Sequence, residues 1–393
     1  MAEWRECTIS EIGTVVGGAT PSTKKLENYE NGEIAWITPK DLSNFHGRYI
    51  ERGERNITEI GLKSCSAQLL PPNTILFSSR APIGYVAIAK NEVCTNQGFK
   101  SVIPNKNINP LFLFYLLKYN KEAIENMGSG TTFKEVSGNT MKNILVRIPV
   151  SISEQRKIAE ILASLDDKIE ENERINNNLQ QQIHAIYKKH FDDCHCEKLP
   201  MSSLIEVRDG THDSPKSKES GMPLVTSKHL LPYGIDKSSA NLISEEDYNK
   251  INERSKVNTY DILLSMIGTV GMVSFIIENP VDFAIKNVGL FKTSDCLKME
   301  YYIHCYLLSS STKRLLEQLL AGSTQKYISL TELRKLPICM PSHKLLEHFN
   351  ETVTPYYETI ITNTNENNSL IQLRSVLLPK LMSGEIDVSG IQL

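Results

Sequence analysis

The sequence predicts an α+β protein in which two similar domains are separated by two long helices. Those helices pair as an antiparallel coiled coil, giving a pseudo-twofold internal repeat. Three observations carry this prediction. Residues 153–191 contain neither Pro nor Gly and space their apolar residues alternately four and three apart. Residues 1–150 and 197–341 carry matching short segments in the same order. Two asparagines that interrupt the apolar seam of 153–191 recur in a second such stretch, 343–381.

Bulk properties set the frame. A chain of 393 residues holds two or more domains. An apolar fraction of 40% and a charged fraction of 23% are ordinary for a globular protein. The net charge of −3 carries no global basic signature, so any DNA contact must come from local patches. The eight cysteines are scattered, and the opening MAEWRECTIS has no apolar signal run. A reducing cytoplasm is therefore expected. The longest uncharged run, 262–277, is shorter than a spanning helix and is broken by Gly268 and Gly271. It reads as two buried strands around a turn.

Taken in order, the first domain covers residues 1–150 and mixes strand-like runs with Gly and Pro breaks. WITPKDL (36–42) matches LVTSKHL (224–230), and ILFSSRAPIGYVAIA (75–89) matches ILLSMIGTVGMVSFI (262–276). Asn96 and Gly98 are aligned on Asn287 and Gly289. A helix follows in each half, 111–126 and 300–320, the first capped by Asn109 with Pro110 behind it. Then GTTFKEVSGNTMKNILVRIP (130–149) aligns without gaps on GSTQKYISLTELRKLPICMP (322–341).

The first long helix, within 151–192, is capped by Ser153 with Glu154 and Gln155 in the first turn. Its seam runs Ile158, Leu162, Leu165, Ile169, Asn172, Asn176, Leu179, Ile183, Ile186. At about 1.5 Å per residue it spans roughly 55 Å. The second domain covers 193–341, and the second helix with a terminal tail covers 342–393. Antiparallel pairing sets Asn172 against Asn367 and Asn176 against Asn363. The same register sets Ile169 on Leu370, Leu179 on Ile360, Leu162 on Leu377 and Ile186 on Val353. Amides on a seam fix register at some cost in stability. Pro355 is expected to kink the second helix or to delay its start. The acidic run Asp166, Asp167, Glu170, Glu171, Glu173 reads as a solvated face.

This repeat resembles the specificity subunit of Type I restriction–modification systems. The resemblance covers almost the whole chain. It rests on IPVSISEQRKIAEIL at 148–162, LLPKLMSGEI at 377–386, WITPKDL, and DGTHDSP at 209–215. The second helix departs from it, opening with Ser342-His343-Lys344 where the first has Glu-Gln. The resemblance implies two target-recognition domains, each reading one half of a bipartite DNA site. It implies that the helices set the spacer and dock two methyltransferase subunits, which bring in restriction subunits. S-adenosylmethionine, ATP and magnesium would belong to those partners, leaving no cofactor in this chain. A recognition subunit of a methylation-only or phase-varied system is the runner-up within the same class. A coiled-coil scaffold pairing two protein-binding domains without DNA specificity is the alternative. A fused methyltransferase is disfavoured by the missing donor-binding loop.

The candidate DNA contacts are local. Lys134 with Thr132 and Lys326 with Thr324 lie in matched Gly-Thr loops suited to phosphate, against the plain reading of surface turns. Lys142 and Arg334 repeat a basic position that a solvated helix would also explain. Lys40 and Lys228 follow matched strand-like runs, where a solvated edge is the alternative. Thr211 and His212 sit in a polar turn. Arg80, in an apolar hairpin, suits a guanine edge and is aligned on Ile267. Cys194-His195-Cys196 lacks the second cluster a zinc site needs, so no metal is expected. No phosphate-binding GxxxxGK[ST], HExxH or serine elbow is present, and NPLF (109–112) is explained by helix capping, so no catalysis is expected.

Overall fold

The computed structural model describes residues 3–43, 45, 47–130, 134–191, 197–296, 298–322 and 326–391. They form two compact units, residues 1–171 with 367–393 and residues 172–366. Each unit thus contains one globular part and about half of each long helix.

In the first unit, hydrophobic runs build a five-stranded sheet in the order Gly13–Gly17, Lys100–Pro104, Ile75–Ser79, Ile83–Ala89, Tyr49–Ile50. A three-stranded sheet, Asn56–Ile57, Ile34–Ile37, Cys94–Thr95, lies beside it in the chain order. Trp4–Thr8 pairs antiparallel with Leu145–Pro149. The second unit repeats the plan. Its larger sheet runs Val207–Asp209, Val288–Phe291, Ile262–Ser265, Val273–Phe275. Its smaller one runs Asn241–Ile243, Met222–Val225, Ala284–Ile285, and Lys198–Pro200 pairs with Pro337–Cys339. Both smaller sheets contain one parallel pairing, Trp36 with Cys94 and Leu224 with Ala284. The run 262–277 is an antiparallel pair, Ile262 facing Phe275.

The matched residues do the same backbone work in each unit. Ser78 Oγ donates to Pro82 O and accepts from Tyr85 N, both at 2.8 Å. Ser265 Oγ donates to Thr269 O and accepts from Met272 N. The turn between these bonds ends in Gly84 or Gly271, each at φ 93°, where a Cβ would be strained. Ser137 and Ser329 cap short helices by accepting from Thr140 N and Glu332 N. Strand register revises one alignment. Ser78 bridges Phe99 and Ser265 pairs with Val288, so Gly98 stands at Asn287 rather than at Gly289.

The long helices are Ile152–Phe191 and His343–Ser383. The first starts two residues earlier than a cap at Ser153 implies. Ser151 O receives Glu154 N and Gln155 N, and Ser153 lies inside the first turn. Gln155 is 1% exposed: its Oε1 accepts from Asn109 N at 2.9 Å and its Nε2 donates to Pro149 O at 3.0 Å. It is a buried clasp between helix and sheet, not a capping residue. Leu346 holds the matching place in the second helix and joins the apolar core, which explains the missing Glu-Gln pair there. The second helix starts well before Pro355 and passes through it, so its start is not delayed. The two predicted domain helices are each broken in two, at Asn120 and at Ser309, which caps the piece after it.

Within each unit the two helical halves run antiparallel. In the first, Ile158, Leu162, Leu377, Leu381 and Met382 share one core. In the second, Leu179, Ile183, Ile186, Val353 and Ile360 do, joined by Tyr187 and Phe191. These two aromatics are more deeply buried than Ile186 and tie the helix to Tyr302 and Phe349.

Part of the acidic run is not solvated. Asp166 is 4% exposed, accepts from Tyr115 Oη at 2.6 Å and pairs with Arg374. Arg48, 8% exposed, pairs with Asp167 and with Glu170 at 3.1 Å. Burial works against the Arg48 charge, but its bonds to Glu170 and Asp167 raise its pKa overall. Tyr115 is held neutral by burial and by the Asp166 carboxylate.

Replacing Asp166 by Ala strands the Arg374 cation and the buried Tyr115 hydroxyl. A loss of about 2–4 kcal/mol is expected in chemical denaturation.

In the second unit His304, 1% exposed, bonds Tyr357 Oη at 2.7 Å, and burial drops its pKa from 6.5 to about 3. Above pH 6.5 the imidazole is neutral folded and unfolded, and stability is whole. Below it the unfolded chain alone takes the proton. Stability should therefore fall by up to about 1.4 kcal/mol per pH unit between 6.5 and 3. Thermal melts of wild type and His304→Gln across that range check this, with a flatter profile expected for the variant.

Candidate nucleic-acid interface

The matched Gly-Thr loops occupy equivalent places. In the first unit, Ser129 and Glu135 exchange both backbone hydrogen bonds, at 3.0 and 2.9 Å. In the second, Ala321 and Tyr327 do so, both at 2.9 Å. Each loop springs from that bridge and is stitched to the neighbouring hairpin, Val136 N to Ser79 O and Ile328 N to Met266 O, both at 3.0 Å. Gly130 and Gly322 both take positive φ, 129° and 94°, a backbone conformation in which a Cβ would be strained. Lys134 and Lys326 are exposed beside the bridge. Thr132 and Thr324 lie outside the described residues, as do Cys194, His195 and Cys196.

Arg80 is brought to this loop in the first unit. It bridges Glu135 through the backbone, and its guanidinium lies 3.4 Å from the Glu135 carboxylate. Lys100 reaches the other carboxylate oxygen at 3.3 Å. Sequence reading missed Lys100 because its strand neighbours are apolar or small and nothing in the chain order links it to residue 135. In the second unit the corresponding contact is Ile267 with Tyr327, which is 45% exposed.

The remaining candidates fall into two kinds. Thr38 and Thr226 close turns: Thr38 N and Oγ1 donate to Asp41, and Thr226 N donates to His229 Nδ1 at 2.9 Å. Burial lowers the His229 pKa, consistent with an accepting ring nitrogen. Lys40 and Lys228 follow them on exposed single turns. Lys40 is partnered by Glu54 at 2.7 Å, which raises its pKa. These lysines are not brought together with the Gly-Thr loops by any contact among the described residues. Arg334 donates to Val207 O at 3.0 Å, a structural bond inside the second unit.

Thr211, but not His212, lines a cleft of about 230 Å³ formed with Asp247, Lys250 and Arg254 of the helix Glu245–Ser255. His212 is held at both ring nitrogens, 2.8 Å from Asn287 Oδ1 and 3.0 Å from Asp209 Oδ2. Asp209 is 3% exposed and also pairs with Arg254. Arg254 and Lys250 carried no sequence signal, because their helix reads as an ordinary charged one.

Among the described residues no group of His, Cys, Asp or Glu is placed to hold a metal ion. No helix among them is long and apolar enough to cross a membrane.

Two α+β units with equivalent exposed lysine loops, each carried on half of a helix pair, define a two-domain recognition protein. The model of the Type I restriction modification DNA specificity domain matches residues 1–181 and 204–372, and the chain belongs to that family. Its role is DNA sequence recognition, not catalysis, in a restriction–modification system. The chain is 34% identical over 417 residues to the Type I restriction enzyme MjaIX specificity subunit of Methanocaldococcus jannaschii, covering 98% of this chain and 94% of that one. It is 34% identical over 169 residues to the EcoR124I/EcoR124II specificity subunit of Escherichia coli, covering 42% and 41%. The crystal structure of a Type I S subunit from M. genitalium shares the fold with a TM-score of 0.56 and 16% identity, over 97% and 96% of the two chains. The scaffold without DNA specificity is thereby set aside.

Neutralising one phosphate contact lowers the slope of log affinity against log salt by about 0.9. Lys134→Ala and Lys326→Ala are each expected to do this, and the double variant about twice as much, measured by salt titration of duplex binding.

Proposed function

We propose that each unit reads one half of a bipartite DNA target. The long helices set the unspecified spacer and dock two methyltransferase subunits, through which restriction subunits join. S-adenosylmethionine, ATP and magnesium then act on those partners, and the complex works in the cytoplasm. The observation that carries this reading is the equivalence of the two lysine loops. Both rise from the same backbone bridge and are stitched to the same hairpin, although the side chains around them differ. A duplicated frame with unlike surfaces suits two half-sites of unlike sequence. Backbone-held lysines fix position on phosphate, and the variable neighbours address base edges. In this assignment Lys134 and Lys326 contact phosphate. Arg80, Thr211 and His212 face bases or adjacent phosphates, and Lys40 and Lys228 lie at the margin.

Exchange of residues 1–150 for those of another family member tests the division of labour. Methylation mapping of the assembled complex should show one half of the motif replaced and the other unchanged. A change in both halves, or equal binding of random and cognate duplex at moderate salt, would refute it.

A further inference from the structure

The backbone bridge that anchors each loop is common to both units, but only the first carries an ion cluster on it. Arg80, Lys100 and Glu135 there are replaced by Ile267, Gly289 and Tyr327 at the corresponding bridge and strand positions. The second unit closes the same bridge, with the same 2.9–3.0 Å backbone bonds, without any of these charges. The cluster is therefore not needed to close the loop.

Its geometry has a direction. Arg80 approaches Glu135 through Nη1 at 3.4 Å. The opposite edge of a guanidinium, Nε–H with Nη2–H, is a ready fork for two acceptors side by side. Among the described residues that edge meets no protein acceptor, and the side chain is 36% exposed. Glu135 is itself fixed from two sides, by its backbone exchange with Ser129 and by Lys100. Lys100 is anchored in turn near Ser79 Oγ at 3.5 Å, with its side chain 16% exposed. Exposed Lys134, the neighbouring residue, places a phosphate-seeking charge beside the fork.

We propose that Glu135 is a positioning residue that holds Arg80 so its open edge reads a guanine, through O6 and N7, in the half-site of the first unit. This rests on the reading that each unit recognises one half-site. The second unit, with Ile267 and Tyr327 at the same place, has no such fork there.

The test uses the full chain assembled with its methyltransferase subunits, acting on a randomised duplex library, with the methylated motif as readout. Wild type first establishes the split motif. If it marks none, the underlying two-half-site reading is overturned before any variant is compared. Arg80→Ala is expected to relax one guanine position in one half-site by about ten- to a hundredfold and leave the other half-site unchanged. Arg80→Lys keeps the charge and loses the fork, and should relax the same position while preserving the salt dependence. Glu135→Ala should relax that position too. The double variant Arg80→Ala/Glu135→Ala should do no more than Arg80→Ala alone, the signature of one residue acting through another. An unchanged motif in Arg80→Lys, or a uniform loss across all sequences, would overturn the proposal. So would additive effects in the double variant. Thermal melting of each variant accompanies the mapping, and Arg80→Lys remains informative where the Ala variants fail to fold.

Discussion

A helix of this length cannot bury its own seam, and that constraint organises both units. The apolar stripe of Ile152–Phe191 is covered within each unit by the half of His343–Ser383 that lies there. The globular parts then rest on the remaining flank, through Gln155, Tyr115 and Arg48 in one unit and through Tyr187 and Phe191 in the other. The means differ. To the apolar contacts that both units make with their helices, one adds buried ions and amides, the other tilted and edge-on aromatic rings. Ion pairs and a clasping amide demand specific geometry, whereas aromatic packing tolerates small shifts.

The polar seam positions give register. Asn363 donates to Asn176 at 2.9 Å, and Asn172 donates to Glu366 at 2.7 Å. In the other unit Asn367 donates to Ile169 O at 3.4 Å. Each bond joins a side chain to one place on the facing element, and sliding by a turn would exchange these bonds for aliphatic neighbours. Duplication of the chain has thus preserved the residues that satisfy backbone and register. It has released those that face outward, as the contrast of Arg80 with Ile267 shows.

Much of the architecture was legible because it depends on periodicity and repetition. The helix seams, the paired strands of 262–277 and the two-copy plan follow from spacing alone. The repeated Ser, Thr and Gly positions were visible as identities. Their meaning as caps and turn residues needed the fold. What escaped was long-range pairing. Asp166 and Asp167 look like any exposed acidic run until Tyr115, Arg374 and Arg48 are brought to them. The clasping role of Gln155 depends on Asn109 and Pro149. Likewise the Arg80–Glu135–Lys100 cluster joins three segments that chain order does not connect.

The first unit is closed by the far end of the chain. Arg147 donates to Ser383 O at 3.2 Å, and Lys157 donates to Ser389 O at 2.9 Å. Gly384 lies so close to the Trp4 ring that a Cβ would sit 2.8 Å from it. The second unit, by contrast, is one unbroken stretch, 172–366. On the ribosome the order of completion is therefore inverted. The stretch 172–366 has all its parts first, while residues 3–171 wait, with an apolar floor uncovered, until residues 367–391 emerge. A message cut short just after residue 366 would spare the second unit and leave the first unfinished.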